Sequence, residues 1–123
     1  MKLSSRSFPH RGPIPPELAF GRRGDATNPI ALSDNRNPHL AWEDAPAGTA
    51  SFVLWCVDPD VPSRGDDVNQ AGRSVPADLP RVEFSHWIMV DIPASVRQIA
   101  AGSLSDCIDA RGKPAQPGPG GAR

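Results

Sequence analysis

The sequence contains no tyrosine, and its aromatic content is only 6%, carried by 3 tryptophans and 4 phenylalanines. The missing tyrosine has no evident physical cause. Cysteine is almost as scarce. Cys56 and Cys107 are the only two, they lie far apart, and they show no CxxC spacing, which excludes a zinc site built on paired thiolates. Cys56 sits inside an apolar run and reads as a small buried hydrophobe. An excess of one charge sign is missing too: 13 basic residues face 14 acidic ones, for a formal net charge of -1. A nucleic-acid binder needs a basic surplus or stripe, so no nucleic-acid partner is expected. Arg22 and Arg23 are followed at once by Gly24 and Asp25, as in a solvated turn. No apolar run reaches membrane-spanning length, and MKLSSRSFPHRGPIPP has an early lysine but no apolar stretch behind it. Neither an integral membrane segment nor a signal peptide is expected, and a reducing, cytoplasmic location is the default.

Proline and glycine are plentiful, at 15 and 11 residues among 123. With 38% hydrophobic residues, they indicate one loop-rich, mostly β domain rather than a helical bundle. Residues 1–29 form a Pro/Gly-rich arm in which no long helix survives. Short strands are predicted near Lys2–Phe8 and Glu17–Phe20. Trp42 is a core anchor, and Ala45–Ala50 is a turn. Ser51–Val57 is the clearest strand, continuously apolar and so expected to be buried on both faces. Phe84–Ile92 is the second, ended by Pro93. Residues 62–80 make a long polar loop of the kind that carries function or is disordered. One helical turn is predicted within Ser95–Ala101. The tail 112–123, GKPAQPGPGGAR, reads as a segment without a core.

Several chemistries are excluded residue by residue. A calcium loop opening at Asp58-x-Asp60 places Pro62 at its fifth position and Ser63 where the turn glycine belongs. Ser85 and His86 are neighbours on a strand, so they point to opposite faces and make no nucleophile–base pair. Gly112-Lys113 is followed by proline, which spoils a phosphate loop. Arg64-Gly65-Asp66 matches an integrin-type tripeptide by coincidence. No metal site and no cofactor is expected. By period 2, Phe84, His86, Ile88 and Val90 share one face, barring a bulge. A histidine there is either a core residue bonded to backbone or a donor lining a pocket. Asp-Pro pairs commonly start turns. That accounts for one aspartate of Asp58-Pro59-Asp60-Val61-Pro62-Ser63-Arg64 but poorly for two aspartates, two prolines and the trailing Ser-Arg.

That segment resembles the D-P-D-x-P-S/T motif of the phosphatidylethanolamine-binding protein family, in its bacterial Raf-kinase-inhibitor-like branch. His86-Trp87-Ile88-Met89-Val90-Asp91-Ile92-Pro93 is similar to the family's histidine-led strand. Asn37-Pro38-His39-Leu40-Ala41-Trp42 resembles its S-P-P-L-x-W, with serine and one proline replaced. Gly120-Gly121-Ala122-Arg123 resembles a bacterial loop that precedes the family's next motif. The resemblance implies a Greek-key β-sandwich lacking the C-terminal strands and helix, hence a single partial domain over residues 1–123. It implies a non-enzymatic binder of a phosphorylated or anionic small group, with a kinase or protease as a protein partner. Asp58 and His86 line the site, Pro59 and Pro62 fix its backbone, and Asp60 is a further candidate. Ser63 and Arg64 are assigned to structure. A cis bond is expected at Asp58–Pro59 or Val61–Pro62. The rival reading is a hydrolase or lyase using Asp58, Asp60 and His86 as acid–base groups, and a third is an inactive remnant. A sandwich without its later strands leaves an open edge beside Phe84–Ile92 and uncovers Phe52, Trp55, Trp87 and Ile88. The isolated chain is then expected to aggregate, to be molten, or to form a homodimer.

Overall fold

A computed structural model describes residues 1–109 and 117–123. Its backbone is dominated by two strands, Ser51–Pro62 (β5) and Arg81–Pro93 (β6), which pair antiparallel. β-Branched and aromatic residues favour this pleated geometry. The polar loop between them is closed by the Ser63 N–H, which donates to the Pro80 carbonyl at 3.0 Å. Pairing is interrupted at three places where one strand carries an extra residue. Val90 and Asp91 stand against Val53; His86 is extra between Trp87 and Ser85; Pro59 and Asp60 stand against Glu83.

Lys2–Ser4 (β1), Leu40–Glu43 (β4) and Gln98–Ile99 (β7) form a second antiparallel sheet in the order β1-β4-β7. Gly21–Arg23 (β2) and Ile30–Leu32 (β3) make a small separate hairpin. The core lies between the β1-β4-β7 sheet and the β5–β6 pair. Trp42, Met89, Ile92, Ile99 and Ala122 are buried there, and Ile92 and Ile99 are each only 1% exposed. Trp42 meets the Phe52 ring edge-on at 5.6 Å, and the Arg97 guanidinium covers that ring at 5.5 Å. Buried Asn37 ties three segments together. Its Oδ1 accepts from the N–H groups of Leu104 (2.8 Å) and Ser105 (3.0 Å), and its Nδ2 donates to the carbonyls of Ala100 (2.9 Å) and Pro38 (3.0 Å). Next to it, His39 is buried and accepts the Arg6 N–H on Nδ1 at 3.1 Å, which seats the N-terminal arm. Among the described residues no helix is long and apolar enough to cross a membrane.

The mostly-β class, the two principal strands, the Trp42 anchor and the turn at 45–50 agree with the sequence reading. Other expectations are corrected. β5 runs five residues further than predicted and is not buried on both faces: Val53 and Trp55 are 65% and 61% exposed. The predicted strand near residue 17 is instead a short 3-10 turn, Pro16–Leu18, since consecutive prolines withhold ladder donors. The first strand stops at Ser4. The predicted helical turn after Ser95 is replaced by β7, which pairs with β4. Among the described residues no peptide bond is cis. Both prolines lie within β5, where the bulge at Pro59 and Asp60 absorbs the lost donor without reversing the chain. The first part of the tail, 112–116, lies outside the described residues. The remainder is not coreless: Ala122 is fully buried, and Arg123 exchanges backbone hydrogen bonds with Val90 on the outer edge of β6.

Two predictions follow from this architecture. Asn37→Ala removes the side-chain acceptor of the Leu104 and Ser105 N–H groups, at about 1–3 kcal/mol each, while the Ala100 carbonyl keeps Ser103 as a donor. Against a total of about 5–15 kcal/mol, the denaturation midpoint should fall by a third or more; an unchanged midpoint would show that Asn37 does not clamp these segments. The second concerns Asp25, whose Oδ1 accepts from the Asn28 (2.7 Å) and Thr27 (2.8 Å) N–H groups. The bond from Asn28, then that from Thr27, holds this exposed carboxyl below its ordinary value. A depressed folded value means that the turn's support is complete above the ordinary carboxylate range and is lost as pH falls through the folded one. The Thr27 and Asn28 amide resonances should therefore move with acid in the native chain and stay still in Asp25→Asn.

Candidate functional site

Asp58 pairs directly with Phe84, so the two share a face, and His86, one alternation on from Phe84, falls on that face as well. The extra residue there brings Trp87 to the same face, opposite Cys56. The His86 Nε2 lies 3.8 Å from Asp58 Oδ2. The other carboxylate oxygen of Asp58 accepts the Asp60 N–H at 2.8 Å. One carboxylate thus fastens the bulge of its own strand with one oxygen and faces the imidazole with the other. Phe84 packs edge-on against the His86 ring at 5.0 Å, which sets the ring's orientation.

Both members of the pair are about half exposed, at 46% for the Asp58 side chain and 53% for His86. An ion pair this wet contributes at most about 1 kcal/mol to stability. Its placement is therefore better explained by contact with something outside than by support of the fold. A carboxylate is an acceptor, and a protonated imidazole donates two N–H bonds and carries positive charge. Together they match a group bearing both signs, or a phosphate oxygen that still holds its proton.

The remaining sequence candidates divide. Asp60 is turned away, with its carboxylate 3.6 Å from Arg81 Nε, so the structure does not bring it to the imidazole. Pro59 lies in the bulge, and Pro62 stands opposite Arg81 at the end of the ladder. Both shape the backbone around Asp58. The loop-closing role of Ser63 is seen directly in its bond to Pro80. Ser85 points to the opposite face, where the Trp55 indole N–H donates to its hydroxyl at 2.8 Å. Ile88 also departs from the predicted face, because the bulge at His86 reverses the alternation and sets Ile88 opposite Trp55. Phe84 and Arg81 were not singled out as site residues. The period-2 spacing of Phe84 and His86 held the signal for the first; nothing in the sequence pairs Arg81 with Asp60. Among the described residues no three His, Cys, Asp or Glu side chains converge as a metal would require.

Cys56, expected to be buried, is exposed. It precedes Asp58 by one alternation of β5 and pairs with Trp87. Desolvation by the apolar wall pushes its thiol up, and the nearby Asp58 carboxylate adds to that shift. Thiolate is the reacting species, so Cys56 should alkylate slowly at neutral pH. Asp58→Asn removes the second cause and should speed the reaction by a few-fold, as followed by mass spectrometry. An unchanged rate would separate the thiol from the carboxylate's field.

Comparison with known proteins bears on the chain's family. The Phosphatidylethanolamine-binding protein family model matches residues 4–119. The chain is 39% identical over 102 residues to the UPF0098 protein YbhB of Escherichia coli (strain K12), covering 83% of this chain and 50% of that protein. It is 36% identical over 101 residues to a UPF0098 protein of Aquifex aeolicus (strain VF5), covering 80% of this chain and 41% of that one. The chain thus spans half or less of the length of these curated relatives. No solved structure matches it significantly.

Proposed function

The chain belongs to the phosphatidylethanolamine-binding protein family, and on that premise we propose that it binds a small phosphorylated or zwitterionic group between Asp58 and His86, without chemical turnover. The observation that carries this reading is the half-exposed carboxylate–imidazole pair at 3.8 Å, set on one face of the β5–β6 hairpin. His86, when protonated, donates to a phosphate oxygen. Asp58 accepts from an ammonium group or from a protonated phosphate oxygen, so its charge does not oppose the ligand. Phe84 gives one apolar wall, and the Arg81 guanidinium lies beyond Asp60 on the same end of the hairpin. Binding without turnover is favoured because the Ser85 hydroxyl, next to His86 in the chain, lies on the opposite face and is engaged by Trp55. A hydrolytic mechanism needs a nucleophile or a held water within reach of the acid–base pair.

Calorimetric titration with phosphoethanolamine tests this. Asp58→Ala and His86→Ala should each weaken binding by about tenfold or more, the loss of roughly one charge-assisted hydrogen bond. Equal affinity in all three proteins would overturn the site, and release of inorganic phosphate would overturn the non-enzymatic reading.

A further inference from the structure

On the face of the hairpin opposite the Asp58–His86 pair, the Trp55 indole N–H donates to the Ser85 hydroxyl at 2.8 Å. The two residues do not stand opposite each other in the ladder. Trp55 pairs with Ile88 and Ser85 with Val57, so the bond runs diagonally past the place where β6 carries an extra residue, His86. On the premise of the binding site described above, we propose that Trp55 and Ser85 are positioning residues for it: their bond keeps Ser85 on the Trp55 face and so leaves His86 on the face of Asp58.

Cys56 pairs with Trp87 and Asp58 with Phe84; between these pairs β5 has one residue, Val57, and β6 has two, Ser85 and His86. At such a bulge two neighbouring residues oppose one, and two settings satisfy the same flanking pairs. In the observed setting His86 joins Trp87 on the Asp58 face, and Ser85 alone stands with Val57. In the other, His86 joins Ser85 on the opposite face, beside Trp55. The backbone pairs on either side are identical, so side chains must choose. On the Asp58 face the imidazole has the carboxylate at 3.8 Å and the Phe84 ring at 5.0 Å. The ion pair is half in water and holds the ring weakly. On the other face the Trp55 ring offers the imidazole an aromatic partner of its own. The Trp55–Ser85 bond removes that competitor. An indole has a single N–H to give, and with it on Ser85 Oγ the ring occupies the ground that His86 would need. Trp55 is 61% exposed, so water satisfies its N–H equally well when the bond is broken. The bond is therefore not needed to complete a buried network, and its effect falls on the choice of face. One neutral hydrogen bond shifts such a two-way equilibrium by about two- to tenfold.

Three variants of the 123-residue chain test this. Trp55→Phe removes the donor and keeps a ring, Ser85→Ala removes the acceptor, and Ser85→Thr keeps the hydroxyl on a residue that suits a strand. Nuclear Overhauser contacts read the setting directly, with no ligand present. The His86 ring should contact the Phe84 ring in wild type and in Ser85→Thr. In Trp55→Phe and Ser85→Ala that contact should weaken, and contacts from His86 to the side chain at position 55 should appear. Calorimetric affinity for phosphoethanolamine should fall by the same factor as the contact, because apparent affinity scales with the population in the competent setting. Ser85→Thr should bind as wild type does. The double variant Trp55→Phe, Ser85→Ala should be no worse than either single one, since each already breaks the one bond. Denaturation midpoints should stay near the wild-type value, which separates a change of face from a loss of fold. An undiminished His86–Phe84 contact in both Trp55→Phe and Ser85→Ala would overturn the proposal, whatever happens to affinity. A wild-type chain that does not bind phosphoethanolamine would count against the binding reading instead, and the ring contacts would still decide the positioning role.

Discussion

The surroundings of the Asp58–His86 pair depend on the register of β5 against β6, which departs from regular alternation at three places. Antiparallel strands of equal count keep strict alternation, and one extra residue reverses the facing of all that follows. The extra residue at His86 brings the imidazole and Trp87 to the inner side together, opposite Cys56. The extra residue on β5 gives Asp58 the local backbone N–H that its carboxylate holds. The third irregularity puts Asp91 at a φ of 56°, a left-handed conformation that aspartate tolerates better than most residues. Its carboxylate receives the Arg123 guanidinium, which anchors the end of the chain to β6. A hairpin without the extra residue at His86 would still set Asp58, Phe84 and His86 on one face, but would turn Trp87 to the other.

The irregular hairpin needs a rigid frame, and polar groups supply much of it. The hydrophobic core is small, with five buried apolar residues among those described. Asn37 and His39 lie beside it and hold backbone groups from the N-terminal arm and from the segment after β7. Those segments have too little regular structure to satisfy their own amides. A buried side-chain amide can meet two donors and two acceptors at once, and Asn37 does so with all four bonds at 3.0 Å or less. The family's S-P-P-L pattern has serine where this chain has Asn37. The amide's second functional end explains how asparagine serves there, since one hydroxyl cannot reach the same four groups.

Much of this was legible in the sequence because strand periodicity and the Asp-Pro-Asp segment are local signals. The apolar run before Asp58 and the proline after Ile92 located β5 and β6, and motif resemblance joined Asp58 to His86. The extent and exposure of β5 were not legible, because an apolar run reports what could be buried and not what covers it. Bulges were equally hidden. They arise from the fit between two strands thirty residues apart, and neither strand alone encodes them. The same cause misled the expectation for Ile88, whose face depends on an extra residue at His86. The helical turn expected after Ser95 failed for a different reason: Gln98 and Ile99 find ladder partners in Ala41 and Leu40, and a long-range pairing overrides weak local propensity.

Pro59 marks the boundary between two kinds of chemistry on one strand. On its N-terminal side, β5 offers uncharged residues and free backbone groups along an apolar groove. On its C-terminal side come Asp60 and the polar loop. A proline has no N–H to give, so any strand added along that edge loses a bond at Pro59 and is discouraged from continuing past it. Asp58, the residue just before it, keeps half its side chain in water. Burying that carboxylate with only the imidazole to compensate would be costly, because a desolvated pair is tolerated only when every remaining lone pair is bonded. The proline thus closes the uncharged stretch of β5 at the residue where an open, hydrated carboxylate stands.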